Sequence, residues 1–496
     1  MKLYNKNSNL QSANITFEGG INVSEPSTNI MDNELQECVN LYYANLEKYL
    51  TTRMGIKRID VPTLNTKIEK LYEYNKNEID SYLVAVSEGK LYYLKSTVVD
   101  LVETLSWQQI TTLENSTILP SLITYNGNLI IADRGPHLRS WNGTTTTSLS
   151  ASPPYVTIIE EINGRIVCNS EATGELDAVY FSAPYNSNEW NTNNGAVGLR
   201  VGYGQGRRVT GIGVIANDVI VFKENGMTYR VSCQGNVSSW YISKLFSTNS
   251  CDNQETIETV GNDLVFGSAS GINSVQTVQE YGDLKMNHLG MKVSSMLNGK
   301  RIQQATWSTT YGVLFLVIEG SNSILVFHPH LGSYTTFDFG FKVNTICNGM
   351  KETYFGDNTG KIYKSTNLSR DELSTGVFTD IHSRMKTKTF LSSESFELVK
   401  SRLFLEQIDY TKGYISVFDR TDTEETVLFD WLPNYAGYVY DANYYVYDAD
   451  MYLYGDALSY FDILNSYYDQ AFSFVIDIEL GRAKIKSLTT TLSIQS

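Results

Sequence analysis

Four groupings in this 496-residue chain carry side chains with the potential for chemistry. Gly202-Tyr203-Gly204-Gln205-Gly206 has the glycine density of a phosphate-cradling loop. Such a loop works only between a strand and a helix, where backbone N–H groups and the helix terminus face the phosphates. Arg208 to Val221 continues with strand-forming residues, so the run reads as a loop between strands. His328-Pro329-His330 brings two imidazoles close, but a metal site needs three or four ligands and no third has a matched spacing. The pairs Glu160-Glu161 and Glu424-Glu425 are adjacent, and on strands neighbours point to opposite faces. Glycoside hydrolysis needs two carboxyls facing each other across ~5–10 Å, which adjacent residues cannot supply. A pair drawn from distant strands is beyond the reach of spacing. Cys38, Cys168, Cys233, Cys251 and Cys347 are scattered and odd in number, which indicates free thiols rather than a disulfide framework or a zinc site. A Ser-x-Asp-x-Gly-x-Thr-Trp box is missing as well. No catalytic, metal-binding or cofactor-binding residue is assigned, and no cofactor is expected.

The elements that would position any site are β-strands. An apolar strand, a tight turn and a second apolar strand recur along the chain. Copies run through Glu88-Gly89, Asn126-Gly127, Asn163-Gly164, Asn217-Asp218, Asn262-Asp263, Tyr311-Gly312 and Asn348-Gly349. Turns of the Asn-Gly kind tolerate the positive φ that a tight hairpin demands. They recur about every 37 to 54 residues, close to the period of a four-stranded propeller blade. Outer hairpins read at Lys223–Tyr229 and Asp357–Tyr363. Helical periodicity is nearly absent. The fold expected is all-β: a β-propeller of six to eight blades over 66–380, with a generic β-sandwich as the alternative.

The flanks differ from the repeats. Residues 1–65 read as an extended N-terminal arm in which Asp32 is placed to cap a short helix. Residues 381–496 read as a C-terminal β-sandwich-like domain, with strands around Phe396–Leu405, Tyr414–Phe418, Ser473–Ile478 and Ile485–Ile494. Inside it lies a Tyr-rich insertion, 435–468, with eleven tyrosines. Tyr438, Tyr440, Tyr444, Tyr445, Tyr447, Tyr452 and Tyr454 are the candidate interface residues, because a tyrosine buries its ring and keeps its hydroxyl hydrated. A local Tyr-laced hairpin pair with no partner is the plainer alternative.

A formal net charge of −15 and a pI near 4.9 argue against a basic nucleic-acid-binding face. They suit a conduit that DNA passes without sticking. Met1 to Leu10 is too polar for a signal peptide, and no stretch approaches the ~20 apolar residues of a membrane span. Assembly in a cytoplasm is expected.

The arm contains Phe17-Glu18-Gly19-Gly20-Ile21-Asn22, then Pro26, Asp32-Asn33-Glu34-Leu35, Asn40 and Arg53-Met54-Gly55. This series resembles the N-terminal signature of bacteriophage tail hub and nozzle proteins, the tail tubular protein B and phage stabilisation protein families of short-tailed phages. Asp177–Pro184 with Trp190, Val221–Gly226 and Ala483–Leu488 are similar to further short motifs of those families. Arg53-Met54-Gly55 departs from the usual Arg-Pro-Gly, and the Tyr-rich insertion has no counterpart. The resemblance implies structural roles for Gly19, Gly20, Asn22, Asp32, Asn33, Glu34, Asn40, Arg53 and Gly55. It also implies a ring of copies, expected to be a hexamer, in the virion tail. The partners implied are the tail adaptor protein, tail fibres or distal tail proteins, and double-stranded DNA passing without specific binding.

Two other functions compete. A receptor- or carbohydrate-binding propeller at the tail tip would use surface aromatics such as Trp190, Trp240 and the Tyr-rich insertion. A capsule-degrading propeller glycosidase would need the carboxyl pair that spacing does not reveal.

Overall fold

The computed structural model describes residues 10–44, 46–99, 102–204, 207–224, 226–247, 249–269, 271–277, 284–409, 411–419, 422–431 and 459–494. Tight turns build the repeat. Asn126 and Gly127 take φ of 49° and 70°, and Asn163 and Gly164 take 51° and 71°, the paired positive values of a hairpin whose twist matches its strands. Two expected turns sit one residue earlier than the sequence suggests. Ala216 and Gly261 carry the positive φ, and Asp218 and Asp263 open the strands that follow. Strand-forming residues on both sides of a turn leave its register open by one position, and closure of the hairpin decides it.

Each hairpin grows into a four-stranded antiparallel blade. Blades 1 to 5 span 70–112, 121–149, 159–200, 209–246 and 258–288, and blade 6 spans 302–337. Blade 7 takes three strands from 343–365 and its fourth, Ile56–Arg58, from the N-terminal segment. Among the described residues, seven inner strands follow one another around the axis, and Val343–Asn348 returns to Lys70–Asn75. The chain is therefore a closed propeller in which an early strand completes the last blade. Inner and second strands are apolar on both faces because blades stack face to face. All six residues of Asp218–Lys223 and all six of Val313–Ile318 are buried, at roughly 1.5–3 kcal/mol for each fully buried aliphatic side chain.

Side chains stitch blade to blade. Gln254 grips blade 4, with Nε2 donating to Ile212 O and Oε1 accepting from Ile212 N at 2.9 and 2.8 Å. Gln304 of blade 6 grips Ile346 of blade 7 in the same way at 2.8 and 2.9 Å.

The N-terminal segment is woven into the rest. Glu34–Val39 lies between Ser333–Phe337, the outer strand of blade 6, and Ser383–Thr387. The helix expected after Asp32 is absent: this stretch pairs as a strand, because Asp32 meets Lys388 at 3.0 Å and Glu34 turns inward. Leu10–Ile15 pairs with Ala483–Ile494. The long strand Ser459–Leu480 pairs first with Phe390–Gln407, then from Ser473 onward with Ser383–Thr387 and Lys412–Phe418. One apolar core joins Phe17 and Leu35, Leu316 and Phe327 of blade 6, and Phe474 and Ile485. No helix among the described residues is long and apolar enough to cross a membrane.

Candidate functional site

Two polar clusters stand out, and the signature residues build the first. Asn40 sits at φ 58°, a left-handed conformation that asparagine tolerates. Its Oδ1 accepts from Arg53 Nε at 2.9 Å and from Asp338 N at 2.9 Å, while its Nδ2 donates to His382 O at 2.7 Å. Arg53 is buried and makes a bidentate pair with Asp371 at 2.8 and 2.6 Å. Further bonds to Met54 O and Asp338 O bring its bonds to five, as many as a guanidinium has N–H groups. The plane of the guanidinium lies over the Phe339 ring, 4.4 Å from its centroid. Gly55 runs so close to Arg370 that an added Cβ would lie 2.0 Å from its carbonyl oxygen.

The rest of the signature closes a second knot at the other end of the strand Glu34–Val39. Gly20 has φ 64° against Tyr334 of blade 6, and Gly19 N donates to Asn33 O at 3.0 Å. Glu34 accepts from Asn22 Nδ2 and Met31 N, both at 2.9 Å, and pairs with Lys292 at 3.1 Å. Burial alone would push its carboxyl up. The bonds from Met31, Asn22 and Lys292 outweigh that and hold it below the ordinary range. Together the nine residues clasp the N-terminal segment onto blades 6 and 7 and the C-terminal strands.

The second cluster was not legible in the sequence. It spans the propeller axis, and its members come from blades 1, 3 and 5. Lys70 Nζ of blade 1 meets Glu255 Oε1 at 2.5 Å. Glu160 Oε1 of blade 3 accepts from Gln254 Nε2 at 3.0 Å. Gln254 and Glu255 sit on a single 3₁₀ turn whose start is capped by Asn253. Burial pushes Glu160 up to about 7, with the charge of Glu255 adding to it and Lys70 opposing. Burial pushes Glu258 of blade 5 up to about 8, with the charge of Glu160 adding to it. Glu160 and Glu161 do face opposite ways: Glu161 is exposed and accepts from Gly164 N at 2.7 Å. The unforeseen feature was that Glu160 would meet residues almost a hundred positions away, which only ring closure brings about.

Above this plug, at one mouth of the axis, lies a polar cavity of about 570 Å³. Its lining includes Glu255, Arg301, Gln303, Lys342 and Thr345, but neither Glu160 nor Glu258. The two raised carboxyls thus belong to the plug and not to the cavity wall.

The remaining expected residues fall elsewhere. His328 is fully buried, bonds Thr335 through Nε2 at 3.0 Å and packs edge-on against Tyr43. Burial, with a smaller push from His330, lowers it to about 3, so it stays neutral. No group of three or more possible metal ligands occurs among the described residues. The five cysteines are free and buried. Trp190 and Trp240, expected as surface aromatics, are half-buried. They pack on blade cores, with Trp190 tied to Ser187 O and Trp240 edge-on to Phe181. Tyr438, Tyr440, Tyr444, Tyr445, Tyr447, Tyr452 and Tyr454 lie outside the described residues.

No protein-family model and no curated protein matches the chain. Similar solved structures include virginiamycin B lyase from Staphylococcus aureus, at 12% identity over 64% of this chain and 100% of the other, with a TM-score of 0.43. YCF48 bound to D1 peptide aligns at 12% identity over 64% and 96%, with a TM-score of 0.42. The β-propeller domain of Cps50 (Swd1) from Myceliophteria thermophila aligns at 12% over 62% and 99%, with a TM-score of 0.42.

Proposed function

We propose that this chain is a structural, non-enzymatic subunit of a bacteriophage tail: one copy in a ring, expected to be a hexamer, of the nozzle or hub kind. The ring joins the tail adaptor protein on one side and fibres or distal tail proteins on the other. The observation that carries this reading is the clasp. The nine residues on which the resemblance to tail hub and nozzle proteins rests are scattered over Gly19 to Gly55, yet they close two knots, one at each end of the strand Glu34–Val39. Those knots tie the N-terminal segment to blades 6 and 7 and to the C-terminal strands. A motif used in this way is architectural, as a load-carrying particle subunit requires. The N-terminal arm and the C-terminal β-sandwich-like unit then act as one body with the propeller.

The axial plug adds a constraint. Side chains from blades 1 and 3 and from the turn leading into blade 5 cross the propeller axis, so DNA would pass through the hole between copies and not through any single propeller. An acidic chain, at −15, lines such a hole without holding the phosphates. Near-atomic imaging of purified virions tests the reading: the chain should form a ring below the portal and adaptor. Detection only in infected-cell lysate, with none in virions, would overturn it.

A further inference from the structure

The cavity at the mouth of the axis combines size, position and two cations that stand outside any ion pair among the described residues. At about 570 Å³ it falls within the ~300–1,000 Å³ range of small-molecule sites. Two of the cations around it are already committed. Lys67 lies 3.5 Å from Glu69, and Lys70 lies 2.5 Å from Glu255. Arg301 and Lys342 differ: among the described residues, neither has a carboxylate within 4.0 Å. Each immediately precedes an inner strand, Ile302–Ser308 of blade 6 and Val343–Asn348 of blade 7. Gln304 binds these neighbouring strands together through Ile346. The two cations therefore hold equivalent places on adjacent blades and can converge on one group.

The cavity also has two carboxylates outside the ion pairs, Asp252 and Glu319. Asp252 lies on the connection between blades 4 and 5, where the next residue, Asn253, donates to Gln303 O at 2.9 Å. Glu319 follows the second strand of blade 6, with its N–H bonded to Arg301 O at 2.9 Å. Beside the aliphatic Ile68, Ile118, Leu119 and Ile302, the lining offers groups that suit hydroxyls. Gln303 and Asn358 have amides outside any side-chain hydrogen bond among the described residues, and no aromatic ring lines the wall. A neutral sugar would find no stacking platform here, whereas an oxyanion would find a guanidinium fork and an ammonium.

We infer that this mouth cavity binds an acidic saccharide, with its carboxylate or phosphate held between Arg301 and Lys342 and its hydroxyls on the polar wall. The inference does not depend on the tail reading, since a chain missing from virions would keep the same cavity.

Titration calorimetry on the full chain with glucuronic acid, glucose 6-phosphate, glucose and inorganic phosphate tests it. One or both charged sugars should bind saturably and more tightly than glucose or phosphate, and whichever binds identifies the oxyanion. The double variant Arg301→Gln/Lys342→Gln should weaken that binding at least about tenfold, since hydrogen bonds to charged groups are worth ~1.5–3 kcal/mol. Glu319→Gln should tighten it by removing a competing anion beside Arg301. Both variants alter only the cavity rim, so unchanged thermal unfolding would show that binding and not folding was affected. Equal binding of glucose, equal binding of inorganic phosphate, no saturable binding of either charged sugar, or full binding by the double variant would each overturn the inference.

Discussion

Arg53 and Lys70 are both cations drawn in from solvent against carboxylates, yet the clusters around them are built on opposite principles. At the clasp, each N–H of Arg53 has a partner, Asp371 answers its charge bidentately, and Phe339 covers its face. At the axis, one ammonium faces Glu255 and Glu160, Glu258 lies beyond Glu160, and burial keeps two of the three carboxyls from ionising at their ordinary pH. A buried ion pair holds only where geometry and hydrogen bonds repay desolvation. The clasp meets that condition with charge. The plug meets it with protons.

Breaking the clasp gives the largest expected effect. Arg53→Ala leaves Asp371 buried without its counter-charge and Asn40 without a donor, a change that typically costs about 3–5 kcal/mol. Urea unfolding should show the loss. Lys70→Met at the axis should cost clearly less, because its partner Glu255 keeps more contact with solvent than Asp371 does and Glu160 can stay protonated. Equal losses at the two sites would show that the two clusters are held by the same balance of charge and burial.

Gly55→Ala comes next. Its new Cβ would sit 2.0 Å from Arg370 O, a backbone atom that cannot swing aside. Overpacking of this kind costs about 1–3 kcal/mol, and the joint with blade 7 should loosen first. Limited proteolysis should then cut near 366–380 faster than within blades 2 to 5. Cutting spread evenly over all blades would show that Gly55 serves the whole fold and not the joint.

What the sequence revealed of these regions follows from the range of the interactions. Turns such as Asn126-Gly127 are decided by neighbouring residues, so the hairpins and the propeller could be read directly. The clasp could be located through its motif, but its logic could not: Arg53 meets Asp371 and Asp32 meets Lys388 across more than three hundred residues. The same distance defeated the helix expected after Asp32, where tertiary pairing overrode a local capping signal. The plug left no local mark at all. Glu160 beside Glu161 looks like any exposed strand, and only seven blades closing on one axis make it a half-buried neighbour of Gln254. Nor does local sequence show that Ile56–Arg58 completes blade 7, because that strand is supplied from the far end of the propeller.

The smallest and most discriminating effect is the response to pH, where the two clusters should pull in opposite directions. Glu258 and Glu160 are raised from an ordinary value of 4.5 to about 8 and about 7. The folded state therefore holds protons that the unfolded chain has released, and stability falls as pH rises from 4.5 through that range. Glu34 is lowered, so its contribution is present above 4.5 and fades as pH falls further. Glu258→Gln should match the parent chain near pH 4.5 and exceed it in thermal midpoint near pH 9. Glu34→Gln should be less stable near pH 7, with the gap closing toward acid. Partial solvent access along the axis will moderate the first difference, but not its sign. If the pH profile of Glu258→Gln runs parallel to that of the parent chain, Glu258 ionises normally and the plug holds together by charge after all.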